Sequence, residues 1–176
     1  MCISNWDGFF NNDFTYHDVN GTKKWEMYPW DEDKTLGDYD GASQRYDWYA
    51  MPLTFGMGGD RLAQGFSRLF GSGPFGGGTS WWRPPGHFSG PLLANPEFRK
   101  RFLARLREIC TTIFTEEKLG PVIRELEQRL APEIQVGAQA TGENPQESLT
   151  RFQRHIQSFL GQIENRRKFI LAELEK

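Results

Sequence analysis

Hydrophobic and polar positions divide the chain into a front that alternates, a middle without period and a rear with helical spacing. From residue 13 the front reads DFTYHD. Phe14, Tyr16 and Asp18 alternate with Thr15 and His17, the period of a strand. Asn20-Gly21 follows, a strong short hairpin signal, because a type I′ turn needs positive φ at both central positions. Residues 25–28 supply the return strand, and Pro29, which has no N–H to donate, is expected to end the pairing. The middle, residues 39–90, is dense in Gly, Pro, Trp and Tyr and has no sustained period apart from a short helical stretch at 61–70. A connection of that length is unusual inside one domain, so it is expected to be a functional lid or a loop-rich insertion, partly packed through its aromatics.

From Asn95 the spacing becomes helical. Asn95 is an N-cap candidate, Pro96 suits the first helical position and Glu97 suits the positive end of the dipole. Phe98, Phe102, Leu106, Ile109 and Ile113 recur at steps of four and three, widened by Leu103, Cys110 and Phe114, to an expected end near Thr115. Thr115 with Glu116 and Glu117 opens another helical segment. Gly120-Pro121 is expected to interrupt it, Pro132 to end its stripe of Ile123, Leu126 and Leu130, and residues 135–142 to form a loop. Asn144-Pro145 caps a last helix carrying Leu149, Phe152, Ile156, Phe159, Ile163, Ile170 and Leu174 on one face, with a possible kink at Gly161. The polar runs RFQRHIQ and ENRRKF on that helix are read as solvent-facing. The expected fold class is α+β, one 176-residue domain. It would have a β-hairpin half-site, a loop-rich insertion at 39–90 and a helical scaffold over 95–175.

Composition sharpens that outline. Hydrophobic residues make up only 38% of the chain while aromatics reach 14%, which fits a globular region interrupted by aromatic-rich loops. The net charge of -2 conceals an asymmetry. Residues 1–60 hold eleven acids and four bases, and the remainder holds twelve acids and seventeen bases. An acidic front suits cations and argues against a nucleic-acid partner. The basic remainder is interspersed with acids, as on solvated helix faces. No apolar run reaches membrane-spanning length. MCISNWDGFF lacks the basic start and apolar core of a signal peptide, and its abrupt start suggests a cut in mid-domain, with any export signal upstream. Localisation (surface, secreted or cytoplasmic) and oligomeric state stay open. Cys2 and Cys110 do not make a metal framework. Cys110 falls on an apolar helical face, and whether the two pair is left open by the sequence.

The candidate chemistry lies in residues 6–37. Phosphoryl transfer from a nucleotide needs a carboxylate to orient the attacking hydroxyl and oxygen ligands for Mg²⁺. Protein kinases supply these from D-x-x-x-x-N, a following β-hairpin and an Asp at the hairpin's far end. Asp7 and Asn12 have that five-residue offset, a hairpin signal follows, and Asp31 stands just beyond the return strand. An Asx-turn beside a solvated acidic loop fits the same residues. Other candidates carry less. Gly71, Gly73 and Gly76 match G-x-G-x-x-G literally, but Pro74 lies inside and no strand precedes them, so a flexible loop is expected. His17, His87 and His155 show no metal spacing, Trp81-Trp82 reads as partly packed, and Asn20-Gly21-Thr22 is a sequon that the turn already explains.

WDGFFNN, YHD, KKW and YPWDEDKTLG in order resemble the spore coat protein H (CotH) family, and ANPEFRKRFLARLREI with TEEKLGPVIRELEQRLAPEI resembles that family's helical C-terminal part. The resemblance covers residues 5–37 and 92–175 and leaves the Gly/aromatic insertion unmatched. It implies an atypical protein kinase that transfers the ATP γ-phosphate to protein Ser/Thr, often on coat or surface proteins. By that similarity Asp7 is the catalytic Asp, Asn12 a Mg²⁺ ligand and Asp31 the counterpart of the metal-binding Asp. Asp33 is a more replaceable neighbour, and Lys34 a possible phosphate contact. The lysine and glutamate that cradle ATP in such kinases would precede position 1, so the chain alone is expected to have little activity. The alternative is a non-catalytic coat or cell-surface structural or adhesion protein.

Overall fold

The computed structural model describes residues 2–4, 13–33, 35–36, 48–51, 53 and 89–176. Among these, a two-stranded antiparallel sheet and four helices make an α+β chain that is mostly helical. The expected helical stretch at 61–70, residues 71–76, Trp81, Trp82 and His87 lie outside the described residues. By contacts the chain divides into two compact units. One comprises residue 1 with residues 3–105, and the other comprises Cys2 with residues 106–176.

The first unit holds the hairpin, β1 (Asp13–His17) and β2 (Trp25–Pro29). Its register sets Asp13 opposite Pro29 and His17 opposite Trp25. Pro29 is thus the last paired residue, as its missing N–H allows at a strand end. The turn differs from expectation. Neither Asn20 nor Gly21 has positive φ; among the described residues of the loop only Lys23 does, at 58°. The connection is a wider loop over residues 18–24, organised by Asp18. Its Oδ1 accepts from Gly21 N at 2.8 Å and its Oδ2 from Thr22 N at 2.6 Å. Lys23 N donates to Asp18 O at 3.0 Å, and Asp18 N to Lys24 O at 3.1 Å. A short side chain that captures backbone donors out-competes the two-residue turn. A Cβ at Gly21 would fall 2.4 Å from Asp18 Oδ2, so a larger residue there would displace the carboxylate that organises the loop.

A 3-10 turn at Trp48–Ala50 leads to Met51, which is fully buried. Helix α1 (Ser89–Ala94) begins before the expected helical onset. Helix α2 (Pro96–Thr112) starts where Asn95 Oδ1 accepts from Glu97 N at 2.9 Å. Of its stripe, Leu106 and Cys110 are buried, whereas Phe98 and Ile113 are exposed.

Helix α3 (Glu116–Thr141) is capped by Thr115, whose side chain accepts from Lys118 N. It runs through both Pro121 and Pro132, and residues 135–141 are helix, not loop. Each proline removes one backbone bond, yet both side chains are exposed. The face beyond Pro132 still buries Ala138. Packing along α4 (Pro145–Glu173) outweighs the local propensity of the prolines. The stop falls at Gly142, φ 78°, where Glu143 N donates to Ala138 O at 2.8 Å. Asn144 Oδ1 then accepts from Gln146 N at 2.9 Å and opens α4, which continues through Gly161. Leu106, Cys110, Phe114, Ile123, Ala138, Ile163 and Ile170 form the buried apolar set of this second unit.

One residue overturns the expected solvent face of ENRRKF. Arg166 has no exposed surface at all. It lies three residues after Ile163 and four before Ile170, on the apolar stripe itself. Arg167, half-buried, donates from Nε to Cys110 O at 2.8 Å.

No described helix is long and apolar enough to cross a membrane.

Candidate functional site

The hairpin fixes the geometry of the candidate site. Its two ends close at the Asp13–Pro29 pair. Asp31 is two residues past that pair and takes a left-handed backbone, φ 54°. The sharp change of direction turns the chain out of the strand and into the Asp31–Glu32–Asp33 run. Phe14 stacks on Trp30 with centroids 6.0 Å apart, packing the exit against the entering strand. After the carboxylates, Thr35 N donates to Asp33 O and Leu36 N to Ile3 O, both at 2.8 Å, which tethers the segment within the first unit.

Asp31 and Asp33 are exposed carboxylates, hard oxygen donors of the kind Mg²⁺ takes. Asp31, Glu32 and Asp33 each have interaction partners. Among the described residues no three His, Cys, Asp or Glu side chains come together as a metal-binding group. Asp7, Asn12 and Lys34 lie outside the described residues. Asn12 is one peptide bond from Asp13, the residue opposite Pro29.

The hairpin histidine packs: His17 stacks on its cross-strand partner Trp25 at 4.5 Å and 7°. His155 is exposed on α4 beside a shallow depression of about 390 Å³ at the α3–α4 turn. That depression contains none of the sequence-predicted residues. Its charges satisfy each other: Ser148 Oγ and Arg151 Nη2 donate to Glu143 Oε2 at 2.8 and 2.6 Å, and these contacts hold the Glu143 carboxyl below its usual range.

Two features escaped the sequence reading. Asp18 organises the hairpin loop, and the hydrogen bonds from Thr22 and Gly21 hold its carboxyl below the usual range. Its signal was an Asp three residues before a Gly at a strand end. The second feature is the burial of Arg166 on the apolar stripe of α4 in the second unit, next to Arg167, which donates to the carbonyl of buried Cys110. The helical position of Arg166 was readable, but its residue type pointed to solvent and hid its burial.

The CotH family model, described as CotH kinase protein, matches residues 1–170, nearly the whole chain. The chain therefore belongs to the CotH family. No curated protein and no solved structure matches it.

Proposed function

We propose that this chain carries the hairpin of a CotH-type protein kinase site, which transfers the γ-phosphate of ATP to Ser or Thr of a protein substrate. Support comes from family membership and from one structural observation, the hairpin that ends in a carboxylate. Kinase sites use such a hairpin to return a metal-binding Asp beside the catalytic-loop Asn. Here the closing pair is Asp13 and Pro29, with Asn12 just before it and Asp31 just after it.

In this reading Asp7 orients the acceptor hydroxyl and takes its proton as the oxygen attacks the γ-phosphorus and the bond to ADP breaks. Asn12 and Asp31 hold Mg²⁺, with Asp33 and Lys34 in supporting positions. Bound Mg²⁺ would offset negative charge on the phosphate oxygens. No residue of this chain is assigned the lysine and glutamate that cradle ATP. The packing of the hairpin against the helices as in a kinase C-lobe, with an insertion at 39–90 and a scaffold at 95–175, belongs to the same proposal.

The test is a phosphoryl-transfer assay on the natural polypeptide that carries this sequence. Asp7→Ala should lower transfer by about 10²–10⁴-fold with folding unchanged. Unchanged transfer would remove Asp7 from the mechanism. The exposed aromatic residues of the hairpin, Trp25 among them at 69%, favour a second reading, a non-catalytic coat or cell-surface protein. Absence of Mg·ATP binding by calorimetry, together with retained surface function in Asp7→Ala, would select it.

A further inference from the structure

Helix α3 packs on α4, and the side of it that holds buried Ile123 and Ala138 is its core face. The other side carries a second stripe. Val122, Leu126, Arg129, Glu133, Val136 and Ala140 recur at alternating steps of four and three, the a/d spacing of a helix–helix seam. At 3.6 residues per turn they fall within about 40° either side of one line, and Ile123 and Ala138 lie about 100–160° around from it. All six are exposed, Val122 at 54%, Leu126 at 44% and Val136 at 60%. Arg129 reaches Glu125 only loosely, at 3.9 Å between side chains that are both about 70% exposed, so its guanidinium stays accessible.

The order of these residues is self-complementary. From one end the stripe reads apolar, apolar, cation, anion, apolar, apolar, and it is symmetric about Ala131 except that the two charges exchange. A contact about a two-fold axis needs that property, since residue i must suit j while j suits i. We propose that this stripe is a homodimer interface, on which a second copy of this chain lays its own α3 antiparallel, with the axis at Ala131. Leu126 of one copy then meets Val136 of the other, Arg129 meets Glu133, and Val122 meets Ala140, each pair occurring twice. Every pair joins an a position to a d position, as antiparallel helices do.

Charge selects this arrangement over its alternatives. A parallel pair would set Arg129 on Arg129 and Glu133 on Glu133, like charges face to face in mid-seam. An antiparallel pair slid by one heptad would set Arg129 and Glu133 on apolar partners, with their charges unmatched. Only the axis at Ala131 places apolar on apolar and cation on anion at all six positions. The seam is about 27 Å long. One helix pair of that length lies at the small end of specific interfaces, so the association depends on concentration.

Sedimentation equilibrium of the intact natural polypeptide that carries this sequence, from about 1 µM to about 300 µM, tests the proposal. The wild-type mass should rise with concentration from monomer to dimer and stop there, because a two-fold contact closes. Leu126→Glu should weaken the dimer at least about tenfold by burying a charge in the seam. Arg129→Glu and Glu133→Arg should each do the same, by setting like charges across the axis. Mixed in equal amounts, those two variants should recover association to within about threefold of the wild type, because each supplies the charge that the other lacks. A purely structural role for either residue would not produce that rescue. All three positions are exposed, and melting curves of each variant establish that it is folded. A wild type that stays monomeric at the highest concentration would overturn the proposal. So would a mass that climbs past the dimer, charge variants that associate as the wild type does, or an equal mixture that fails to recover.

Discussion

Asp18 shows how much one side chain decides in a small hairpin. Its two carboxylate oxygens hold two backbone donors, and that contact explains the wide loop and why a small residue suits position 21. The pH consequence follows in sign. The folded carboxyl sits below its unfolded value because Thr22 and Gly21 donate to it. The contribution to hairpin order is therefore complete above the unfolded Asp value of about 3.9 and lost as pH falls through the lower, folded value. An NMR titration should show amide shifts of Gly21 and Thr22 moving together with the Asp18 carboxyl, and Asp18→Ala should abolish that transition and broaden the loop. Deeper in the second unit, Ile170→Ala should cost about 2–5 kcal/mol by chemical denaturation, since the side chain is fully enclosed. The apolar spacing marked Ile163 and Ile170 but passed over Arg166 between them. Residue type suggested solvent, position said core, and position decided, because Arg166 lies between two enclosed isoleucines of the stripe.

At the scale of elements, caps were readable and proline breaks were not. Asn95, Thr115 and Asn144 all cap as their short acceptors suggest, since each capping bond is local in sequence. Asn144→Ala should therefore destabilise the helical unit by about 1 kcal/mol in thermal or urea melts. Gly142→Ala should cost a comparable amount, because its φ of 78° is costly for any residue with a Cβ. Pro132 misleads a local reading because the compensation is tertiary: α3 continues to Thr141 on the strength of its face against α4. That continuity is testable. Pro132 is exposed, so Pro132→Ala removes no buried surface and restores one backbone bond. The variant should be stabilised by about 1–3 kcal/mol. A loop over 135–142 would instead gain nothing from that change and would lose the stiffness proline gives the unfolded chain. The hairpin presents the same contrast. Its strands follow the alternating pattern, while its turn type was set by an Asp outside the Asn-Gly pair.

For the whole molecule, the proposed site rests on family membership and on the hairpin, whose closing pair has Asn12 before it and Asp31 after it in the sequence. The hairpin itself was legible, because an alternating run, a turn signal and a return run mark it in the sequence. The distinction between Asp31 and Asp33 rested on resemblance alone, and the backbone now offers a clean way to test it. Asp31 occupies the left-handed region, φ 54°, where Asn is as comfortable as Asp but Ala is not. Asp31→Asn therefore removes charge and leaves the turn intact, whereas Asp31→Ala would mix charge loss with strain. If Asp31 holds the metal, Asp31→Asn in the natural polypeptide should raise the Mg²⁺ concentration needed for half-maximal transfer by more than about tenfold, since even outer-shell losses reach about 10–100-fold in metal affinity. The Asp18 carboxyl titration and the His17–Trp25 stack should be undisturbed, reporting an intact hairpin. Asp33→Asn, which removes the same charge from the same loop, should shift the Mg²⁺ requirement by only a few-fold, because loss of general acidity is a weaker, screened effect at an exposed site. Equal shifts in the two variants would mean that the loop acts as a diffuse acidic surface. Metal binding would then have to be assigned to residues other than Asp31.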